Sequence, residues 1–118
     1  MRPRHALIIE DEILIALEIE DLLKSQGFQT VDIAESPLEA LDRALLRKPD
    51  LITADYRIVG GTGVEAVKMI MAHLGPIPVV YVTGNAKALV DQDSESVVQK
   101  PIRPGVLAGA WHHAMAAA

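Results

Sequence analysis

Glu10-Asp11-Glu12 stands directly after the apolar run Ala6 to Ile9, and Asp55 directly after a second such run, Leu51 to Ala54. Two further apolar runs end in Thr83 and in Lys100-Pro101. If these runs are parallel strands, their carboxyl ends share one sheet edge, and side chains just beyond them converge there. Carboxylates gathered in this way repel one another, and a cation is what offsets the cost. A hard divalent ion, Mg²⁺ or Mn²⁺, suits them, because it takes oxygen ligands and keeps waters that an incoming phosphate can replace. Asp11 and Asp55 with a nearby backbone carbonyl would hold it. Asp55 is then a nucleophile: its carboxylate attacks a phosphoryl group to give an acyl phosphate, with positioning and charge neutralisation as the main sources of rate. The Lys100 ammonium can neutralise a phosphoryl oxygen, and Lys-Pro at a strand end is compatible with a cis peptide that aims the lysine inward. Thr83 offers a hydroxyl. Each residue has a plainer use when taken alone: acids suit a helix N-terminus, aspartate suits a turn, and threonine suits a strand. It is their joint placement at four strand ends that points to one pocket.

The elements that must position these residues alternate between short apolar runs and longer helical patterns, which predicts a parallel sheet with helices on both faces. Residues 5 to 10 read as the first strand and 12 to 26 as a helix, with Ile15, Ala16, Ile19, Leu22 and Leu23 inward and Gly27 closing it. Thr30 to Ala34 follows as a short strand. Ser36-Pro37 is a cap-and-proline start for a helix over 37 to 47, whose predicted buried face is Leu38, Leu41, Leu45 and Leu46. Leu51 to Ala54 is the third strand, Gly60 to Gly63 a flexible turn, and 63 to 73 a helix ended by Gly75-Pro76. Pro78 to Val82 and Val97-Val98 read as buried strands. Between them, Gly84 to Ser96 offers barely one apolar turn, which predicts a short or mobile fourth helix. The last helix begins at Arg103-Pro104 and carries Val106, Leu107, Ala110, Trp111 and Ala114 on one side.

Composition narrows the function. A chain of 118 residues that is 50% apolar can bury a full core as one domain. A net charge of −5 and an aromatic content of 3% disfavour nucleic acid, which needs a basic face or stacking platforms. The apolar run after the basic start is too short for a signal sequence or a membrane span. With no cysteine, the expectation is a soluble cytoplasmic protein that binds neither membrane nor nucleic acid.

The set Ala6-Leu7-Ile8-Ile9-Glu10-Asp11-Glu12, Pro49 to Asp55, Thr83-Gly84 and Lys100-Pro101-Ile102 resembles the receiver domain of two-component response regulators over essentially the whole chain. The resemblance implies a flavodoxin-like five-stranded parallel sheet in the order 2-1-3-4-5. It also implies transfer of a phosphoryl group to Asp55 from a histidine kinase or phosphotransfer protein. Asp11 matches the direct metal ligand, Glu10 the second acidic position, and the Arg57 backbone carbonyl a third protein ligand. The reading is of a single receiver domain over residues 1 to 118, without an output domain. Its chemistry is limited to self-phosphorylation and dephosphorylation at Asp55, and its output is binding to a downstream protein. The segment Pro78 to Asn85 is similar to that of FATGUY receivers, which are often stand-alone proteins of general-stress signalling paired with HWE-type kinases; Val79, Val82 and Asn85 depart from their pattern. Val97 occupies the place where receivers usually carry a switching Phe or Tyr. Output then runs through the ordering of residues 84 to 96.

Ile13, Leu14 and Leu17 lie off the core stripe of the first helix and form a candidate docking patch for a kinase. His112-His113 is expected in solvent, since adjacent helical residues diverge by about 100° and cannot chelate together. The Gly60 to Gly63 turn lacks the Gly-Lys-Ser/Thr ending of a phosphate cradle. Among rivals, a haloacid dehalogenase-like hydrolase would need a second aspartate two residues after the nucleophile, where Arg57 stands. A flavin binder would have to place phosphate against Glu10-Asp11-Glu12. A phosphate shuttle or sink is the alternative role within the receiver class.

Overall fold

The computed structural model describes residues 3–89 and 91–117. In chain order its elements are β1 (Arg4–Ile9), α1 (Ile13–Ser25), β2 (Phe28–Ala34), α2 (Pro37–Leu46), β3 (Leu51–Ala54), β4 (Arg57–Ile58), β5 (Gly61–Thr62), α3 (Gly63–Leu74), β6 (Val79–Thr83), β7 (Val97–Gln99) and α4 (Pro104–Ala117). Five strands form a parallel sheet ordered β2-β1-β3-β6-β7, which is the expected 2-1-3-4-5 order, because β4 and β5 pair only with each other.

Both faces of the sheet are covered, so its strands are apolar almost throughout. Ala6, Ile8, Leu51, Val80, Val82 and Val98 pack with α1 and α4. On the opposite face, Leu7, Ile9, Ile52, Ala54 and Tyr81 pack with α2 and α3. Each fully buried aliphatic side chain contributes about 1.5–3 kcal/mol of transfer free energy. The aromatic content, though small, is placed centrally: Phe28 and Trp111 meet edge to face with ring centroids 5.4 Å apart beneath α1 and α4.

Several local expectations are corrected. In α2 the leucines do not form the inner face: Leu38, Leu45 and Leu46 are 69%, 50% and 84% exposed, and Leu41 is half-buried. Pro37, Ala40 and Ala44 point inward instead. Small side chains let α2 pack closely against β1 and α3, and they lie on the helix side opposite Asp42 and Leu46. Val106 of α4 is likewise exposed. The second strand starts earlier than expected, at Phe28, which is pinned in the core. The Gly60 to Gly63 turn is an antiparallel hairpin, with Gly60 at φ +78 supplying the left-handed residue between β4 and β5. Between β6 and β7 the described residues hold two short 3₁₀ helices, Ala86–Leu89 and Ser94–Ser96, where a fourth α-helix would run. With few apolar positions available, Leu89 is the one residue of this connection buried in the core among the described residues.

Candidate functional site: an acidic pocket at the carboxyl edge of the sheet

Extension of the backbone ladder beyond the strand ends sets the pocket. The Glu10 amide donates to the Ala34 carbonyl (2.9 Å), the Asp55 amide to Ile9 (3.0 Å) and the Lys100 amide to Thr83 (2.9 Å). Residues far apart in sequence therefore arrive side by side just past β1, β3 and β7. Thr83 ends β6 between β3 and β7.

Lys100 is the centre of charge. Its Nζ lies 2.9 Å from Glu10 Oε1, 3.0 Å from Asp55 Oδ2 and 3.7 Å from Glu12 Oε1. The second Asp55 oxygen accepts the Tyr56 amide at 2.7 Å, and Glu10 Oε2 accepts the Glu12 amide at 3.2 Å. The Lys100–Pro101 peptide is cis, as its sequence setting suggests. Glu10 is 2% exposed and Asp55 is 9% exposed, so these charges are held largely away from water, while Asp11 and Glu12 face solvent.

Electrostatics follow from that burial. Desolvation, with a further push from the Asp55 charge, raises the Glu10 pKa to about 7 despite the opposing pull of Lys100. For Lys100, burial disfavours the charged form, but the bonds to Glu10 and Asp55 outweigh it and hold its pKa above the usual lysine value.

Glu10, Asp11, Glu12 and Asp55 each offer a carboxylate oxygen within 4.8 Å of the others. When all four are ionised, one ammonium cannot neutralise them, and a divalent cation would offset most of the remaining charge. The donors are all oxygens, and Asp11 and Glu12 keep the pocket open to solvent, which fits a hard ion that retains waters. Arg57, whose carbonyl is the expected third ligand, stands on β4 two residues past Asp55 with its side chain exposed. Thr83 is 1% exposed, and its hydroxyl accepts the Asn85 amide at 3.0 Å.

Two residues join the site that the sequence reading left unassigned. Glu12 belongs to the carboxylate cluster and faces Lys100. Gly63, the first residue of α3, runs so close beneath the pocket that a Cβ there would collide with the Asp55 carbonyl oxygen, while its amide donates to the Tyr56 carbonyl at 2.8 Å. Gly63 had a visible signal in the glycine cluster following Asp55, but only the tertiary approach explains it. Ile13, Leu14 and Leu17 are exposed on α1 immediately after the acids. His113 departs from expectation: it is half-buried and ion-paired, with Nε2 2.6 Å from Asp93 and Nδ1 3.0 Å from Glu95, while His112 stays exposed.

A doubly covered parallel sheet with acids at its carboxyl edge and a lysine from the last strand defines the class of two-component phosphoacceptor modules. Residues 6–111 match the response regulator receiver domain, and the chain belongs to that family. It is 32% identical to the polar-differentiation response regulator DivK of Brucella anthropi, covering 85% of this chain and 86% of that protein. It is 35% identical to the transcriptional regulatory protein PdtaR of Mycobacterium tuberculosis over 66% of this chain, but spans only 38% of that protein. Of the Archaeoglobus fulgidus protein-glutamate methylesterase/protein-glutamine glutaminase that it also matches, it spans 24%. In structure it is similar to the receiver domain of PhyR from Erythrobacter litoralis, with a TM-score of 0.85 and 29% identity over 96% of this chain and 90% of that one. It also resembles the response regulator domain of CheB from Thermotoga maritima, with a TM-score of 0.82 and 25% identity over 98% of both chains. The chain is thus a phosphoacceptor signalling module of two-component systems.

Proposed function

We propose that Asp55 is the phosphoacceptor and that Mg²⁺ or Mn²⁺, held by Asp11, Asp55, the Arg57 carbonyl and, at the second acidic position, Glu10, supports the transfer. The observation that carries the reading is the buried Asp55 carboxylate, with Oδ2 3.0 Å from Lys100 Nζ inside an oxygen-only cluster. An Asp55 carboxylate oxygen attacks the phosphorus of a phosphohistidine. The new O–P bond forms as the N–P bond breaks, and its electron pair stays on the imidazole nitrogen. The bound cation would supply charge neutralisation at the phosphoryl oxygens. Lys100 turns from Glu10 and Asp55 toward one of those oxygens, and Thr83 offers its hydroxyl to another. Attack by water on the acyl phosphate then restores Asp55.

The donor in this reading is a histidine kinase or phosphotransfer protein that docks on Ile13, Leu14 and Leu17 beside the pocket. The Pro78 to Asn85 segment favours an HWE-type kinase in the cytoplasm, and solved relatives include a PhyR described as a stress response regulator. Output is by protein binding. Val97 sits half-buried opposite Tyr81 in the β6–β7 register, so the connection from 84 to 96, rather than an aromatic ring at 97, transmits the change.

Intact-mass analysis after treatment with acetyl phosphate and Mg²⁺ tests the central assignment. One phosphoryl adduct is expected, absent in Asp55→Asn; an adduct that survives the substitution refutes Asp55 as acceptor. Leu14→Glu should slow transfer from a partner kinase while leaving acetyl phosphate effective, and equal slowing of both would remove α1 as the docking face.

A further inference from the structure

The short connection between β6 and β7 leaves part of the fold uncovered. α3 packs on α2 and β3, and two 3₁₀ turns do not lie along its other flank as a helix would. What remains is an open groove of about 670 Å³ between α3 and β6. Two periodicities make its walls apolar. Val64, Val67 and Met71 recur at three- and four-residue spacing on one side of α3, while Ile77, Val79 and Tyr81 alternate along the chain that enters β6. Gln92 and Ser96 of the connection stand at the far side. Volume and lining both match those of small-ligand sites, which span about 300–1,000 Å³ and carry few polar groups.

Its polar groups say what fits there. Tyr81 is 4% exposed, yet its hydroxyl bonds to no described residue. A buried hydroxyl without a partner is costly, and an acceptor seated in the groove removes that cost. Burial pushes the Tyr81 pKa up to about 12, so the phenol stays a donor across the neutral range. At the rim the available charge is positive. Asp93 is already bonded to His113 Nε2 at 2.6 Å, whereas the exposed Lys68 forms no ion pair with a described residue. A neutral donor and one cation suit a singly charged acceptor, and a carboxylate can accept from both. A phosphate group would bring a second negative charge with no second cation to meet it. We propose that this groove binds a small apolar carboxylate, with its hydrocarbon body among Val67, Met71, Ile77 and Val79 and its carboxylate served by the Tyr81 hydroxyl and Lys68. The site is separate from the phosphoacceptor pocket and does not depend on that reading.

Titration of the isotopically labelled full chain with cinnamate and with octanoate, followed through its amide NMR signals, reads the site directly. Saturable shifts are expected with at least one of the two acids, clustered at Val67, Lys68, Met71, Val79 and Tyr81. Tyr81→Phe keeps the ring and loses the donor, and should weaken binding about tenfold with unchanged circular dichroism. Lys68→Glu should weaken it several-fold, as befits an exposed charge. The decisive arm compares each acid with its neutral counterpart, cinnamyl alcohol or octanol, which should bind about fivefold more weakly or worse. No saturable shift with either acid, shifts scattered away from the groove, a Tyr81→Phe chain that binds as well as the parent, or an alcohol that binds as tightly as its acid would each overturn the proposal. Shifts at these amides that grow with protein concentration alone would give the groove to a second copy of the chain and overturn it equally.

Discussion

The molecule carries two clusters in which carboxylates surround a single base, and they have opposite characters. At the sheet edge, Lys100 faces Glu10, Asp55 and Glu12. On the far side of α4, His113 bridges Asp93 and Glu95. Both sets place acidic oxygens close enough together to share an ion. They differ in burial: Glu10 and Asp55 lie within the fold, whereas Asp93 and Glu95 are exposed. Water screens the second cluster, so it acts as a surface tie between α4 and the β6–β7 connection. The first cannot relax its charges into solvent, so it holds a carboxylate whose pKa is raised.

The strongest way to break this contrast is to neutralise one acid in each cluster. Asp55→Asn should abolish the phosphoryl adduct entirely by intact mass, while Asp93→Asn leaves it unchanged. Lys100→Met should come next. It strips the cation that pairs with two buried carboxylates and should lower metal-free stability by about 3 kcal/mol in chemical denaturation at pH 8, with added Mg²⁺ restoring part of the loss. Substitution of His113 by Asn should barely move the same midpoint, as surface ion pairs contribute little.

Gly63→Ala tests the scaffold below the pocket. The added methyl meets the Asp55 carbonyl, and destabilisation of about 1–3 kcal/mol is expected from the forced backbone shift.

Acidity sharpens the comparison further, because the two clusters depend on pH through different groups. Glu10 ionises near 4.5 when unfolded but near 7 in the fold, so between these values the folded chain keeps a proton that the unfolded chain has lost. Metal-free stability should therefore fall as pH rises from about 4.5 to about 7, and Glu10→Gln should flatten that slope in pH-dependent melting. His113 has its pKa raised above 6.5, first by the bond to Asp93. Its contribution is complete below 6.5 and lost as pH climbs through the folded value. This is the smallest effect, visible as an upward-shifted titration of the His113 ring protons in NMR that Asp93→Asn returns toward normal.

The pocket was largely legible in the chain because each of its members follows an apolar run. A parallel sheet converts the property of standing just after a strand into that of standing at one edge. Glu10, Asp11, Asp55, Thr83 and Lys100 all carry that signature. The helices were legible as elements but not as faces. For α1 the apolar spacing gives the inner stripe, and Ala16, Ile19 and Leu23 are buried. For α2 the same rule fails, since its contact with β1 and α3 is close enough to select Ala40 and Ala44 and to turn the leucines outward. Periodicity identifies a helix with two distinct sides but does not say which side a neighbour will meet when the alternative side is built from alanine. His113 shows the same limit: its partners come from the β6–β7 connection some twenty residues away, which spacing along α4 does not reveal.

By itself the sequence determined the alternation of strands and helices, the acids and lysine that follow the strands, and the poverty of apolar residues between Gly84 and Ser96, where the described residues hold two 3₁₀ turns. These are local properties, written in hydrophobic period, caps and breakers. Only the tertiary structure decided that Lys100 bonds Glu10 and Asp55 at once, that Glu12 joins them, that Gly63 must have no side chain, and that the leucines of α2 face water. Those outcomes depend on distances between elements, and such distances are set by the packing of both sheet faces together rather than by any one segment.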